Sequence, residues 1–286
     1  MGAGGGEEVP APVRPPVNAW QGASAMICLG LTLGSSLGAV AGLPRASQAP
    51  VLAAAVGSSV VVVGLALGTS FLNPRDTSPQ DGPGRPDAYC DLCRAYVDPS
   101  CKHCRVCNQC CVGFDHHCKW LNVCVGRRNY KVFVALLAWL MAHLLFHLGM
   151  FTYVVAGCLQ GGTFIEGRVA EHAVKPVALQ AYLALMVLAG LVTVLLLLTV
   201  GELFGLHVLL IRKNLTTYDF IMIAKDLPEA QPRPCCGGGR SDKVATDLAS
   251  SHGPAKKKPI KLNAMSLLRA SAAIDEARAV RGRGSV

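Results

Sequence analysis

The chain has 286 residues, 51% of them hydrophobic and 16% charged, a balance more apolar than that of soluble globular domains and one that points to a membrane. Nine of its 13 cysteines fall between Cys90 and Cys124, which excludes a secreted disulfide scaffold, where cysteines are dense throughout a short chain. The net charge of +9 is not arranged as a basic stripe interleaved with stacking aromatics, so no nucleic acid is expected as a partner.

Residues 1–22 are rich in Gly and Pro and read as a cytosolic amino-terminal segment without the charged-then-apolar pattern of a signal peptide. Met1-Gly2 begins like a myristoylation signal, but Gly6 stands where Ser or Thr is expected. Crossing about 30 Å of hydrocarbon at about 1.5 Å per residue takes roughly 20 mostly apolar residues. Four stretches qualify: Ala23 to Leu43, the least apolar; Pro50 to Leu72; Val132 to Gly157; and Val177 to Ile211. The chain thus predicts transmembrane helices 1 and 2 within 23–72 and helices 3 and 4 within 132–211. His143 and His147, four apart on the third span, share one helical face and are read as facing the bundle interior. Glu202 and His207 near the end of the fourth are costly in hydrocarbon and are read as solvated at the interface.

Orientation follows from Lys and Arg near the spans. Only Arg45 lies between spans one and two, and only Arg168 and Lys175 between three and four, whereas Arg75 to Lys131 holds nine and the tail from Arg212 holds fourteen. Both basic segments, and with them the amino terminus, are therefore expected in the cytosol. The acceptor-like Asn214-Leu215-Thr216 falls on the wrong side for glycosylation. The tail, 212–286, is polar, Pro- and Gly-rich and largely disordered by composition. Its run Lys256-Lys257-Lys258 suits anionic lipid, and Leu262, Met265, Leu268 and Ala272 have the spacing of one short amphipathic helix.

The segment 73–131 carries the chemistry. It contains Cys90-x-x-Cys93, His103-Cys104-x-x-Cys107-x-x-Cys110, His116-His117-Cys118 and Cys124. Zinc structural sites take four Cys or His ligands, often in pairs from Cys-x-x-Cys turns. A segment this poor in apolar residues needs the folding free energy that metal binding supplies. Two sites need eight ligands, and Cys90, Cys93, Cys101, His103, Cys104, Cys107, Cys110, Cys111, His116, His117 and Cys124 are eleven candidates. Spacing alone does not partition them. It does suggest one thiol left beside an Asp-His pair: Asp115 to orient, His116 as base, Cys118 as nucleophile.

Phe114-Asp115-His116-His117-Cys118-Lys119-Trp120-Leu121-Asn122, then Cys124-Val125-Gly126 and Asn129-Tyr130, resembles the DHHC family of protein S-acyltransferases, the palmitoyltransferases. Lys119 resembles the subgroup in which Lys-Trp follows the motif, and Thr216-Thr217-Tyr218-Asp219 resembles the family's TTxE sequence. The resemblance covers about residues 23–220. It implies an all-α multi-pass membrane protein of four transmembrane helices, with a small zinc-bound cysteine-rich domain in the cytosol between helices 2 and 3.

That resemblance implies one zinc on Cys90, Cys93, His103 and Cys110 and a second on Cys104, Cys107, His117 and Cys124. It implies two-step transfer of a palmitoyl-type chain from acyl-CoA, through an acyl-enzyme on Cys118, to membrane-proximal cysteines of substrate proteins, with the spans in the lipid bilayer holding the chain. ER or Golgi membranes are the implied location. Lys102, Arg105, Lys119, Arg127 and Arg128 are the expected CoA contacts, since the zinc sites carry negative charge. The sequence departs from the family pattern at Asn73, Ser100, Val123 and Asp219. Those departures favour the alternative, a catalytically weak zinc-containing membrane scaffold or adaptor.

Overall fold

The computed structural model describes residues 18–23, 26, 27, 30, 43–76, 88–159, 176–226 and 272. Among the described residues three helices are long and apolar enough to cross a membrane: α1 (Arg45–Phe71), α2 (Tyr130–Leu159) and α3 (Pro176–Lys213). The expected first span, 23–43, lies for the most part outside the described residues, as do most of the tail and its expected amphipathic helix. The chain forms two units, Met1–Tyr218 and Asp219–Val286, and a short helix α4 (Thr217–Asp226) runs across their boundary.

Helix α1 starts five residues before the apolar run. Its polar first turn is closed by Ser47 N–H donating to the Pro44 carbonyl at 2.8 Å, and the Gln48 side chain holds the Leu43 carbonyl. Asn73-Pro74 ends it, because the residue before a proline is pushed out of the α region. Helix α3 is one piece of 38 residues, about 57 Å long at 1.5 Å per residue. Asn214, in the left-handed region at φ 49°, closes it in a Schellman motif: Leu215 N–H reaches the Leu210 carbonyl and Asn214 N–H the Ile211 carbonyl. In this way the chain reverses into Thr216-Thr217.

The cysteine-rich segment corrects the all-α expectation. It is three two-stranded antiparallel hairpins: β1 (Ala88–Cys90) with β2 (Ala95–Val97), β3 (Lys102–Cys104) with β4 (Gln109–Cys111), and β5 (His116–Cys118) with β6 (Val123–Val125). Strands of three residues are too short to show alternation in the sequence.

The hairpins are one unit repeated every 14 residues. Cys90, Cys104 and Cys118 each end a first strand, and Arg94, Asn108 and Asn122 each turn it at φ 50°, 46° and 55°. Registers match: Tyr89 faces Tyr96, His103 faces Cys110, and His117 faces Cys124.

The residues after α1 seal this domain. Val112 N–H donates to the Pro74 carbonyl and Asp76 N–H to the Cys110 carbonyl, while Asn73 and Gln109 exchange reciprocal amide hydrogen bonds at 2.9 and 3.3 Å. An Asp at 73 could not donate back to Gln109, so the substituted residue has a specific partner. Gly126 is required where β6 leaves the domain, since a Cβ there would lie 2.9 Å from the Val112 carbonyl oxygen and 3.1 Å from Pro74. The buried Asn129 joins three elements. Its amide donates to the carbonyls of Thr69 on α1 and Cys124 on β6, and its oxygen accepts from Gly126 N–H, all at 2.9 Å.

Candidate active site and metal centres

Each metal set takes the Cys-x-x-Cys turn of one hairpin and the cross-strand His-Cys pair of the next. Cys90 and Cys93 meet His103 and Cys110, and Cys104 and Cys107 meet His117 and Cys124. His103 and Cys104 are consecutive on β3 and so point to opposite faces, one to each set. Within each set the four donor atoms lie within 4.8 Å of one another.

The distances fit zinc. From His103 Nδ1 to the sulfurs of Cys93, Cys90 and Cys110 they are 3.2, 3.7 and 3.8 Å, and from His117 Nδ1 to Cys107, Cys104 and Cys124 they are 3.4, 3.8 and 3.9 Å. A tetrahedron with Zn–S near 2.3 Å and Zn–N near 2.0–2.1 Å has S···N edges of about 3.6 Å. Of the spare thiols, Cys101 is pushed up to about 12 by burial and by the Asp76 carboxylate, and Cys111 is fully buried.

In the third hairpin the repeat breaks. Cys118 holds the place of Cys90 and Cys104, but Leu121 stands where Cys93 and Cys107 stand, and α2 follows where a fourth hairpin would complete the set. Phe133 and Leu137 of α2 pack against Cys118 instead, with Leu203 and Phe204 of α3 in the same cluster. One knuckle cysteine is thereby left outside both metal sets.

Strand β5 also sorts the histidines. His116 and Cys118 share one face, toward α2, and His117 faces the second metal set. His116 Nδ1 lies 2.7 Å from Asp115 Oδ2, and the other carboxylate oxygen accepts the Thr217 backbone N–H at 2.8 Å. Burial works to raise the Asp115 pKa, but the donors from His116 and Thr217 hold the carboxyl below its ordinary value. Burial opposes a charged His116, yet its bonds to Asp115 and Cys118 raise the imidazole to about 9.

The five basic residues expected at CoA, Lys102, Arg105, Lys119, Arg127 and Arg128, are all exposed. The Lys102 ammonium sits 5.5 Å from the Tyr218 ring centre. Arg127 donates to Ser100 Oγ at 3.1 Å, and Gly113 N–H donates to the same oxygen, so Ser100 braces the β4–β5 connection. Asn18 donates to the Lys119 carbonyl and to Asn122 Oδ1, and Trp20 meets Trp120 edge-to-face at 5.1 Å. Asn18 and Trp20 therefore lie on the turn that follows Cys118.

Sequence reasoning missed His207. The expectation of interfacial solvation is wrong for it: the residue is 1% exposed, with Nδ1 3.1 Å from the Tyr130 hydroxyl and its ring 5.9 Å from that of His116. Glu202 is exposed. A titratable residue near the end of a span was the available signal. The inward reading of His143 and His147 agrees with the structure: both are buried, and His143 Nδ1 is 2.9 Å from Ser58 Oγ on α1.

Residues 85–223 match the protein-family model described as DHHC palmitoyltransferase. That match covers just under half of the chain. Across 142 residues, half of this chain, the sequence is 32% identical to probable protein S-acyltransferase 20 of Arabidopsis thaliana, covering 20% of that protein. It is 36% identical to palmitoyltransferase ZDHHC5 of Rattus norvegicus over 45% of this chain and 16% of the relative. The same identity holds with palmitoyltransferase ZDHHC8 of Homo sapiens over 52% and 18%. The chain thus spans a fifth or less of the length of these curated relatives. The matched residues contain all three hairpins, α2, α3 and the Thr217 donor.

Proposed function

We propose that this chain is a protein S-acyltransferase that moves a palmitoyl-type chain from acyl-CoA to cysteine thiols of substrate proteins through an acyl-enzyme on Cys118. The observation that carries this reading is the isolation of Cys118 from both metal sets, on one strand face with a His116 that is pinned by a buried Asp115.

In the first half-reaction the Cys118 sulfur attacks the thioester carbonyl. An imidazolium beside a sulfur favours negative charge on that sulfur. The C–S bond to CoA breaks, and the CoA thiolate takes the proton from His116. In the second, a substrate thiol gives its proton to His116 and attacks the acyl-enzyme, and Cys118 leaves as thiolate. Asp115 keeps one His116 tautomer throughout. Zinc on the two Cys3His sets would supply folding free energy that holds β3 and β5 in place. The apolar helices would shelter the chain at about 0.8 kcal/mol per buried methylene.

Further parts of this proposal rest on composition and family. They are a fourth span over 23–43, cytosolic termini and zinc domain, residence in ER or Golgi membranes, and CoA phosphates met by Lys102, Arg105, Lys119, Arg127 and Arg128. Substrate proteins with membrane-proximal cysteines fit a nucleophile positioned at the ends of apolar helices.

The test is to incubate purified full-length protein in detergent with a labelled fatty acyl-CoA and measure hydroxylamine-sensitive label. Wild type should label and Cys118→Ser should not. Equal labelling of the two would overturn the acyl-enzyme on Cys118.

A further inference from the structure

The third hairpin carries the nucleophile but lacks the closure that its two counterparts share. In the first two, both ends of the turn belong to one metal set, Cys90 with Cys93 and Cys104 with Cys107. In the third, Cys118 opens the turn and Leu121 closes it, so a metal has no second ligand there with which to tie the two ends. The packing of Cys118 against Val125, Phe133 and Leu137 is apolar. Such packing is non-directional and does not by itself fix the orientation of the backbone that carries the sulfur.

A side chain from outside the repeat spans the turn instead. Asn18 Nδ2 donates to the Lys119 carbonyl at 3.2 Å and to Asn122 Oδ1 at 3.1 Å, across 101 and 104 residues of chain. An amide nitrogen carries two hydrogens, and both are used. One acceptor directly follows Cys118, and the other belongs to the left-handed residue that leads into β6. Asn18 Oδ1 meanwhile accepts the Gln21 N–H at 2.7 Å, and Gly22 N–H reaches the Asn18 carbonyl at 3.1 Å. Asn18 thus caps the helical turn 19–23, which orients its amide toward the hairpin. From that same helical turn Trp20 meets Trp120, between the two acceptors, edge-to-face at 5.1 Å.

We propose that Asn18 is a positioning residue for Cys118, its amide holding the turn after the nucleophile as a metal would hold the equivalent turns of the first two hairpins. A loosened turn lets the sulfur drift from His116 and from the thioester carbonyl, and a misplacement of about 1 Å can slow a catalysed step about a hundredfold. The effect on rate rests on the acyltransferase reading; the clamp on the turn does not.

The experiment compares full-length wild type with Asn18→Asp and Asn18→Ala, zinc content being measured in each. Asp ranks with Asn as a helix cap, yet its carboxylate has no hydrogen to donate to Lys119 or Asn122. Single-turnover formation of hydroxylamine-sensitive acyl-enzyme should slow about tenfold in both variants, since a neutral hydrogen bond contributes roughly a two- to twelvefold effect. Zinc content should equal that of wild type. Amide exchange should rise at Lys119–Asn122 and stay unchanged at Arg105–Asn108, the equivalent turn of the second hairpin.

A wild-type rate in Asn18→Asp would overturn the proposal, because the residue would then serve only as a helix cap. If either variant loses zinc, Asn122→Gly takes its place: it keeps the left-handed conformation, removes one acceptor, and should also slow labelling, an unchanged rate again overturning the proposal. If wild type takes no acyl label, the acyltransferase reading falls, and amide exchange alone decides the clamp. Equal protection of Lys119–Asn122 in wild type and Asn18→Asp would then overturn it.

Discussion

The backbone N–H of Thr217 donates to Asp115 Oδ1 at 2.8 Å, so the carboxylate that orients His116 is itself held by the first residue of α4. Proline is tolerated at the first position of a helix, where its missing N–H is not needed by the helix. Thr217→Pro therefore removes this backbone donor, and the Thr217 hydroxyl beside the carboxylate with it. Hydrogen bonds to charged groups contribute about 1.5–3 kcal/mol, which corresponds to roughly a 10- to 150-fold slower formation of labelled acyl-enzyme. An unchanged rate in single-turnover labelling would mean that Thr217 does not position the carboxylate.

Because the metal sets interleave, ligand loss should spread in one direction along the repeat. His103→Ala removes a ligand of the set joining the first two hairpins and should lower zinc by one ion per chain, with amide exchange rising first in Ala88–Val97. His117→Ala should also cost one ion, but it loosens β5 and with it Cys118, so labelling should disappear. Retention of two ions in either variant, by elemental analysis, would refute the partition.

Asn129 satisfies the carbonyls of Thr69 and Cys124 and the N–H of Gly126. Asn129→Ala leaves three backbone groups without this partner in a buried place, each costing about 1–3 kcal/mol. The thermal transition of the purified protein should fall by several degrees, and acyl-enzyme formation should fall with it. A transition within one degree of wild type would show that other groups take over the three bonds.

Gly126→Ala tests a close approach. The new Cβ would lie 2.9 Å from the Val112 carbonyl oxygen, a backbone atom that cannot rotate away. Overpacking of this kind costs about 1–3 kcal/mol. We expect zinc to be lost at a lower chelator concentration than in wild type, because Val112 continues directly from β4, which carries Cys110. Equal chelator resistance in the two proteins would exclude the clash.

What the sequence determined was local. Apolar runs long enough to cross a bilayer marked α1, α2 and α3, since hydropathy is a property of consecutive residues. Cysteine and histidine spacing marked the metal-binding segment, since a Cys-x-x-Cys turn is complete within four residues. The Asp115-His116-Cys118 trio was legible because an orienter, a base and a thiol stand within four consecutive residues. The hairpins that hold them were not foreseen, although their 14-residue repeat is visible once Cys90, Cys104 and Cys118 are aligned.

Tertiary structure decided which neighbours each thiol meets. Interleaving brings the cysteines of one turn to the His-Cys pair of the next, so each four-donor set is shared between two hairpins. Cys118 lies against Phe133 and Leu137 in place of a fourth hairpin. His207 reaches His116 across 91 residues of chain, and Thr217 reaches Asp115 across 102. Contacts at that separation depend on how helices pack and where α3 ends at Asn214, and no local pattern of residue types encodes them.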